Sequence, residues 1–205
     1  MDKKELINKL ILDLAQDAPM SKVMLMAQAV SFELQNSLFS DWVRKEQRGY
    51  DKCKDNEIPS YREVSCILKV DVFIPFRGML TNFTVPEGVI KDPTVKKFIT
   101  NVKLPQSLSE LEEIQKNNVD STLRLGVPSH IFPYIDRVLN NGTVQGATRM
   151  ISSTTPSLII NRVKAKMLDY FSFMSKQVDM DADFHESSIQ IQLNDLFNTY
   201  IWNEQ

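Results

Sequence analysis

The spacing of apolar residues changes between residues 37 and 74, and this change decides the fold class. Residues 37–50 read SLFSDWVRKEQRGY, in which apolar side chains recur at helical spacing up to Gly49, a residue suited to ending a helix. Residues 64–74 read VSCILKVDVFI, in which apolar residues alternate with polar or small ones until Pro75. The stretch therefore predicts a helical unit that is followed by a β-sheet.

Two further helical patterns precede residue 37. Apolar residues recur at helical spacing in residues 3–16, and again after Pro19, where Ser21 is the expected N-cap of a helix that continues to Leu34. Each apolar stripe is too narrow to stabilise an isolated helix in water. Residues 1–50 are therefore predicted to form a unit of three antiparallel helices.

Residues 51–178 carry mixed strand and helix signals. The sequence predicts strands at 64–74, 83–85, 102–104, 123–125 and 143–152, and helices at 92–99, 107–116, 131–139 and 156–178. The predicted fold class is helix-rich α+β, with an N-terminal three-helix unit, a small β-sheet with intervening helices and a long C-terminal helix. One domain is expected over residues 1–178, divided into a helical unit (1–50) and a mixed α/β part (51–178).

Residues 179–205 are predicted to form an acidic C-terminal tail. From Gln177 to Gln205 the sequence holds six acidic residues and no Lys or Arg, which is typical of a solvated segment. The tail also contains a short apolar docking segment, whose main contacts are expected from Leu196, Phe197, Tyr200 and Trp202. This segment could pack on the body of the protein or on another chain, and the sequence leaves both placements open.

The charge and the composition exclude several classes of protein. The chain has 205 residues with 24 basic and 26 acidic side chains, so no overall field attracts nucleic acid. A local basic segment, Ile160 to Lys176, is more simply explained as a solvated helix face. No apolar run is long enough to cross a membrane. The charged N-terminal sequence differs from a secretory signal, so a cytoplasmic location is expected.

The residue types that usually carry catalysis are few. Cys53 and Cys66 are too few for a disulfide framework and wrongly spaced for a zinc site, and His130 and His185 have no partner at metal-ligand spacing. The sequence has no nucleophile elbow, zinc-protease motif or phosphate-binding glycine loop. It therefore predicts no catalytic residue, no metal and no cofactor, and it favours a binding protein over an enzyme.

The most specific pattern is W-x3-E-x2-G-Y from Trp42 to Tyr50, followed by P-x-Y-R from Pro59 to Arg62. With these residues the chain resembles the AbiTii family, a bacterial domain associated with abortive infection and other anti-phage loci. Supporting similarity lies at residues 82–86, 104–111 and 162–171. The resemblance covers approximately residues 5–178. It implies a role in anti-phage defence, but no defined reaction and no catalytic residue.

The signature residues have a structural and a functional interpretation. In the structural one, Arg62 forms a partly buried ion pair with Glu46 and fixes the corner between the third helix and the first strand. In the functional one, the corner is a recognition surface, because Trp, Tyr and Arg are common at binding hot spots. An aromatic residue after a helix C-cap is usually packed, which favours the structural interpretation. The candidate binding residues are Trp42, Arg44, Glu46, Arg48, Tyr50, Tyr61 and Arg62.

Three functions follow, in decreasing order of support. The first is a non-enzymatic binding or regulatory component of a bacterial anti-phage system, an antitoxin-like or sensor subunit. Its partner would be a protein encoded nearby, a second copy of the chain, or both. The second is a domain that binds a nucleotide or another anionic signal through Arg44, Arg48 and Arg62. The third is a toxic metal-dependent nuclease that uses Glu46, Asp51 and Glu57.

Overall fold

The computed structural model describes residues 3–117, 122–139 and 142–203, which fold into two compact units. We call the first the helical unit, and it comprises the described residues within 1–62, 105–117 and 156–205. We call the second the sheet unit, and it comprises those within 63–104 and 118–155. The domain boundaries predicted at residues 50 and 178 stay predictions.

Eight α-helices and six β-strands lie in the part of the chain that the structure describes. Their order is α1 (Lys3–Ala15), α2 (Met20–Leu34), α3 (Ser37–Arg48), β1 (Glu63–Ser65), β2 (Ile67–Ile74), β3 (Gly78–Thr84), α4 (Pro93–Thr100), β4 (Asn101–Lys103), α5 (Leu108–Asn117), β5 (Leu123–Gly126), α6 (Phe132–Val138), β6 (Thr143–Ile151), α7 (Thr155–Gln177) and α8 (Ser187–Phe197). The predicted helix-rich α+β class is confirmed.

The helical unit is held together by apolar helix faces and one cluster of aromatic rings. The inner faces of α1 and α2 bury the residues that the helical spacing indicates, among them Ile7, Leu10, Val23, Ala27 and Val30. Phe39 on α3 stacks with Trp42 and with Tyr170, at ring-centroid distances of 5.8 and 5.2 Å. It also meets Phe171 edge-on at 5.4 Å. The aromatic cluster therefore joins α3 to the long helix α7.

The C-terminal segment packs within the helical unit. Helix α8 and the π-helical turn that follows it (Asn198–Trp202) bury five apolar side chains, Ile189, Leu193, Leu196, Phe197 and Ile201. Asn36, the N-cap of α3, accepts the N–H of Phe39 and donates to Gln190 Oε1 and Asn194 Oδ1 of α8, at 3.1 and 2.8 Å. Of the two placements that the sequence leaves open, the structure has this segment on its own chain.

The sheet unit contains a four-stranded antiparallel sheet in the order β3-β2-β6-β5 and a separate antiparallel pair of β1 and β4. The core of the unit lies on one face of the larger sheet, where helices α4 and α6 contribute Ile99 and Ile135. The sheet residues in this core are Leu68, Val70, Val72, Val144 and Ala147. The residues at the alternate positions of these strands point to the opposite face of the sheet. We call this opposite face the outer face.

The predicted strand at residues 64–74 is wrong in one respect, because it is two strands. β1 pairs with β4, whereas β2 pairs with β3 and β6. The break lies at Cys66, whose N–H donates to the carbonyl of Thr100 at 2.6 Å and whose Sγ donates to the carbonyl of Ile99 at 3.2 Å. Apolar alternation continues through the break, so the pattern could not indicate where the chain changes its partner.

Helix α2 begins differently from the prediction. Pro19, and not Ser21, occupies the N-cap position, and it provides no side-chain cap. The N–H of Met20 donates instead to Glu112 Oε1 of α5 at 2.7 Å, so a carboxylate from another helix satisfies it. Residues 83 and 84 of the predicted strand 83–85 form the end of the longer β3.

No helix in the described ranges is long and apolar enough to cross a membrane. Cys53 and Cys66 are both free cysteines. Burial raises the pKa of the Cys66 thiol, which therefore stays protonated and packs as a small apolar group.

Candidate functional site

The signature residues meet where α3 ends and the chain turns. Gly49 has φ +83°, and a Cβ at this position would lie 2.9 Å from the carbonyl oxygen of Pro105. The N–H of the next residue, Tyr50, donates to the same oxygen at 2.6 Å. Only glycine combines this backbone angle with so close an approach. The predicted helix end at Gly49 is therefore confirmed, together with a reason that the sequence alone does not supply.

Glu46 and Arg62 form a fully buried ion pair at this corner. Both side chains have 0% exposure, and Arg62 Nη2 lies 2.5 Å from Glu46 Oε2. Arg62 Nε donates to Glu46 Oε1 at 3.2 Å, which makes the pair bidentate, and Arg62 Nη1 donates to the carbonyl of Gln106 at 2.6 Å. The predicted pair is confirmed by its geometry, and its burial is complete rather than partial.

Three aromatic side chains complete the surroundings of Glu46. The hydroxyl groups of Tyr50 and Tyr61 both donate to Glu46 Oε1, at 2.7 and 2.5 Å. Trp42 Nε1 in turn donates to the Tyr61 hydroxyl at 2.7 Å, and the ring of Tyr50 lies 4.7 Å from the Arg62 guanidinium carbon. We call these five residues, Trp42, Glu46, Tyr50, Tyr61 and Arg62, the corner network.

The electrostatics of the corner network fix its protonation state. Burial raises the pKa of both phenols, and the Glu46 carboxylate raises each pKa further. Burial opposes the charge of Arg62, but Glu46 outweighs this effect and the pKa of Arg62 is raised. Both phenols therefore stay neutral donors and the guanidinium stays charged. The side chains of the network donate to one another and to the carbonyl of Gln106, which suits the network to hold a corner rather than to exchange protons with a substrate.

Two residues of α7 support the same corner, and sequence reasoning did not assign them this role. Arg162 Nη1 donates to the carbonyl of Tyr61 at 3.0 Å, and Lys166 Nζ lies 5.4 Å from the centre of the Tyr61 ring. Nearby, Lys164 pairs with Asp17 at 2.5 Å. The available signal was the basic segment from Ile160 to Lys176, which the sequence analysis interpreted as a solvated face.

A groove of about 330 Å³ lies beside the corner network in the helical unit. We call it the α3 groove. Its lining includes Leu38, Asp41, Trp42, Lys45, Glu57, Phe197 and Trp202. Trp42 belongs to the predicted corner, while Phe197 and Trp202 belong to the predicted docking segment. The structure therefore brings the two sets of candidate residues together around one space.

The α3 groove is lined by apolar side chains and by charged ones. Asp41 accepts from Arg44 and lies 3.0 Å from Lys45 Nζ. Partial burial would raise the pKa of Asp41, but the hydrogen bonds from Lys45 and Arg44 outweigh burial and lower it. Glu57 accepts the N–H of Lys54 at 2.8 Å. The charged part of the lining thus carries both signs of charge, and it has no strong preference for an anion.

The other predicted binding residues lie apart from the corner network. Arg44 and Arg48 are exposed on α3, and Arg44 pairs with Asp41. Arg62 is buried, so in this structure it does not present its guanidinium to a dissolved anion. The three arginines of the second hypothesis therefore do not form one surface.

The predicted docking residues divide into buried and exposed members. Leu196 and Phe197 are buried on α8. Tyr200 stacks on Phe173 with their ring centroids 4.4 Å apart, and Trp202 keeps 37% of its surface exposed. Trp202 is thus the most exposed of the four predicted docking residues.

The carboxylates of the third hypothesis do not form a metal centre in the structure. Glu46 is engaged by Arg62, while Asp51 is exposed and Glu57 binds the backbone of Lys54. Across residues 3–117, 122–139 and 142–203, no group of three or more His, Cys, Asp or Glu side chains is arranged to hold a metal ion.

Comparison with known proteins identifies the family of the chain. No curated protein and no solved structure matches the chain significantly. The AbiTii family profile matches residues 5–194, which is most of the chain and includes every residue of the corner network. The family resemblance inferred from the Trp42–Tyr50 and Pro59–Arg62 patterns is therefore confirmed, and this protein belongs to the AbiTii family.

Proposed function

We propose that the protein is a non-enzymatic binding component of a bacterial abortive-infection system, an antitoxin-like or sensor subunit that acts on a partner protein in the cytoplasm. Membership of the AbiTii family supports the setting of anti-phage defence. The proposed partner is a protein encoded beside this one. A second copy of the chain is the alternative partner, and the experiment below separates the two.

The α3 groove is the observation that carries this proposal. The corner network contributes Trp42 to the lining of the groove, and the C-terminal segment contributes Phe197 and Trp202. The signature residues of the corner network already have hydrogen-bond partners within the protein. They therefore contribute to binding through the shape that they give to the groove. A family signature that builds a groove without offering a reactive group is expected of a binding protein.

The lining of the α3 groove suits a protein segment better than a small ion. Protein interfaces combine aromatic anchors at the centre with a charged rim that both partners complement. The groove has both kinds of residue, because its lining includes the exposed apolar side chains of Leu38 and Trp202 and the charged side chains of Asp41, Lys45 and Glu57. Leu38 is 41% exposed, so its side chain is available to an apolar side chain of the partner.

The test is co-purification with the protein encoded beside this one, followed by measurement of the dissociation constant. The variant Leu38→Asp replaces an exposed apolar lining residue with a charged one, and we expect the dissociation constant to rise by at least about tenfold. The matched control is Leu25→Asp, because Leu25 is an exposed leucine on α2 that does not line the groove. This control should change the constant by less than about twofold.

Three outcomes would decide between the alternatives. The absence of any complex at micromolar concentration would contradict the proposed partner. A complex that Leu38→Asp and Leu25→Asp weaken equally would remove the α3 groove from the proposal. Self-association of the purified chain that Leu38→Asp alone abolishes would identify the partner as a second copy.

The second hypothesis, an anionic signal bound at the corner, has less support. Its three anchors were Arg44, Arg48 and Arg62, and the third of these is enclosed with Glu46. An anion at this corner would need to displace a buried carboxylate that makes a bidentate pair, which is energetically costly.

A further inference from the structure

The outer face of the four-stranded sheet carries a concavity of about 330 Å³ in the sheet unit. We call it the sheet-face concavity. Its lining comes from all four strands, with Lys69 and Asp71 on β2, Asn82 on β3, Arg124 on β5, and Gly146, Thr148 and Met150 on β6. None of these residues belongs to the family signature or to the sets predicted from sequence.

The pairing of the strands explains why the face is hollow. Lys69 lies opposite Thr148, and Asp71 lies opposite Gly146, so small residues of β6 form the floor between longer side chains. A Cβ added at Gly146 would lie 3.2 Å from Asp71 Oδ2, so the floor is kept low by the lack of a side chain there. Arg124 lies opposite Met150, two positions from Thr148 along β6. The space is therefore a product of the strand register.

Two basic side chains face this space from opposite sides. β2 and β5 both flank β6, at the usual spacing of about 4.8 Å between strands, so Lys69 and Arg124 lie on either side of Thr148. No ion pair of either side chain is found within the described residues. An anionic group above Thr148 would be within reach of an ammonium group, a guanidinium group and a hydroxyl group.

The single acidic side chain of the concavity is already engaged. Asp71 Oδ1 accepts the backbone N–H of Asn82 at 2.7 Å. Lys69 pairs with Thr148, and Arg124 pairs with Met150. Along the strand direction, Arg124 therefore lies on one side of Lys69 and Asp71 lies on the other. The end of the concavity near Arg124 is therefore the more positive one, and Asp71 remains able to accept a hydroxyl group of a ligand at the other end.

An apolar shelf adjoins the positive end. Ile67 pairs with Met150 across the β2–β6 ladder, and both point to the outer face, as Lys69 and Thr148 do. Ile67 is 56% exposed although it is a large apolar side chain. A flat apolar group could rest on this shelf while an attached phosphate reaches Lys69 and Arg124.

We propose that the sheet-face concavity binds a nucleotide-sized phosphate ester, with its phosphate between Lys69 and Arg124 and its base on Ile67 and Met150. The volume of about 330 Å³ lies at the lower end of the range for small-ligand sites, which fits one mononucleotide. The two basic side chains favour an anionic ligand, and the apolar shelf favours a phosphate ester over inorganic phosphate. This site goes beyond the proposed partner-binding function and does not depend on it.

The test uses the full chain and isothermal titration with the four ribonucleoside monophosphates, inorganic phosphate and adenosine as separate probes. At least one nucleoside monophosphate should bind at least about tenfold more tightly than inorganic phosphate, and adenosine should bind more weakly than adenosine monophosphate. Lys69→Ala and Arg124→Ala should each weaken nucleotide binding by about tenfold or more. The variant Thr148→Phe, which fills the space and removes no charge, should weaken binding to a similar extent.

Two control variants remove the same charges elsewhere in the sheet unit. Lys91→Ala is the control for Lys69→Ala, and Arg77→Ala is the control for Arg124→Ala, because both residues are exposed and neither lines the concavity. Each control should change the dissociation constant by less than about twofold, since a screened surface charge acts weakly at a distance. Backbone amide shifts of the unmodified protein provide a measurement without any variant, and the largest shifts should come from Lys69, Arg124 and Thr148.

The outcomes are distinguishable. If no probe binds at millimolar concentration to the folded wild-type protein, the proposal is overturned. It is also overturned if the variants and their controls weaken binding equally, since the effect would then be one of net charge. Equal affinity for inorganic phosphate and nucleotides would remove the role of the apolar shelf. Much tighter binding of single-stranded oligonucleotides than of mononucleotides would replace the small ligand with a nucleic acid. Loss of partner binding at the α3 groove, with nucleotide binding intact, would leave this inference standing.

Discussion

The corner network and the sheet-face concavity both contain basic side chains, and they use them in opposite ways. In the corner network, Arg62 is buried and its charge is matched by Glu46 and a carbonyl group. In the sheet-face concavity, Lys69 and Arg124 face an open space and form no ion pair within the described residues. The family signature therefore marks residues that build the fold, whereas the candidate ligand site lies at positions that carry no signature.

The sharpest way to break this comparison is to remove the buried arginine. In Arg62→Met the Glu46 carboxylate remains buried without its cation, so we expect the free energy of unfolding to fall by about 3 to 5 kcal/mol. Arg44→Met is the matched control, because Arg44 also pairs with a carboxylate, that of Asp41, but is exposed, and it should cost less than about 1 kcal/mol. Urea denaturation of both variants measures the difference. Equal losses would mean that the corner is not a rigid, desolvated network.

A second comparison concerns the two glycines that have φ +83°. Gly49→Ala introduces both backbone strain and a clash with the carbonyl oxygen of Pro105, so a loss of about 2 to 4 kcal/mol is expected. Gly78→Ala, at the start of β3, meets open space and should cost only the backbone strain of about 1 to 2 kcal/mol. Chemical denaturation is again the measurement. A larger loss for Gly78→Ala would contradict the close approach at the corner.

Removal of single hydroxyl groups separates a satisfied tyrosine from an unsatisfied one. Tyr61→Phe deletes the donor to Glu46 and the acceptor of Trp42 Nε1, so it should cost about 1.5 to 3 kcal/mol. Tyr170 is also buried, but its hydroxyl group has no hydrogen-bond partner within the described residues. Tyr170→Phe is therefore expected to be neutral or slightly stabilising. A large loss in Tyr170→Phe, measured by thermal unfolding, would show that its hydroxyl group has a partner in solution.

Three buried tyrosines determine how the stability of the protein should respond to alkaline pH. Burial raises the pKa of Tyr50, Tyr61 and Tyr170 in the folded protein, while an unfolded tyrosine titrates near pH 10. The folded protein therefore keeps protons that the unfolded chain loses. The stability is fully present below about pH 10, and each of these tyrosines lowers it by up to about 1.4 kcal/mol per pH unit above that value.

Ultraviolet absorbance of tyrosinate tests this prediction, because the three buried phenols should ionise together with unfolding. Above about pH 10, Tyr61→Phe should reduce the slope of the free energy of unfolding against pH by the contribution of one tyrosine. If tyrosinate from all five tyrosines appears before the protein unfolds, the burial of the phenols is refuted.

Local features of the fold could be predicted from the sequence. Helix α3 ends before Gly49 as predicted, and the helix predicted from residue 107 begins with a capping box, in which the N–H of Glu110 donates to Ser107 Oγ and the N–H of Ser107 donates to Glu110 Oε2. The ion pair of Glu46 with Arg62 belongs to the structural interpretation of the signature, and its two residues lie 16 positions apart along the chain. These features depend on neighbours that are close along the chain.

The remaining features depend on residues that are distant along the chain. The break at Cys66 arises because β1 and β2 pair with different strands. The alternation of apolar residues does not indicate which strand a segment pairs with. The α3 groove needs Trp42 and Trp202 to meet, and the sheet-face concavity needs the register of β2, β6 and β5. Neither residue spacing nor charge composition determines such pairings, so the sequence indicated the components and left their assembly open.

The smallest expected effect concerns the stability of the sheet unit when its open charges are removed. Lys69→Ala and Arg124→Ala should each change the free energy of unfolding by less than about 0.5 kcal/mol, because no ion pair within the described residues depends on either side chain. Urea denaturation without ligand measures this, with Arg62→Met as the contrasting variant. A loss of several kcal/mol in either variant would mean that the cations of the sheet-face concavity hold the fold together. A small loss combined with weaker nucleotide binding would assign them to a ligand, because a charge kept unpaired on a folded surface is free to pair with one.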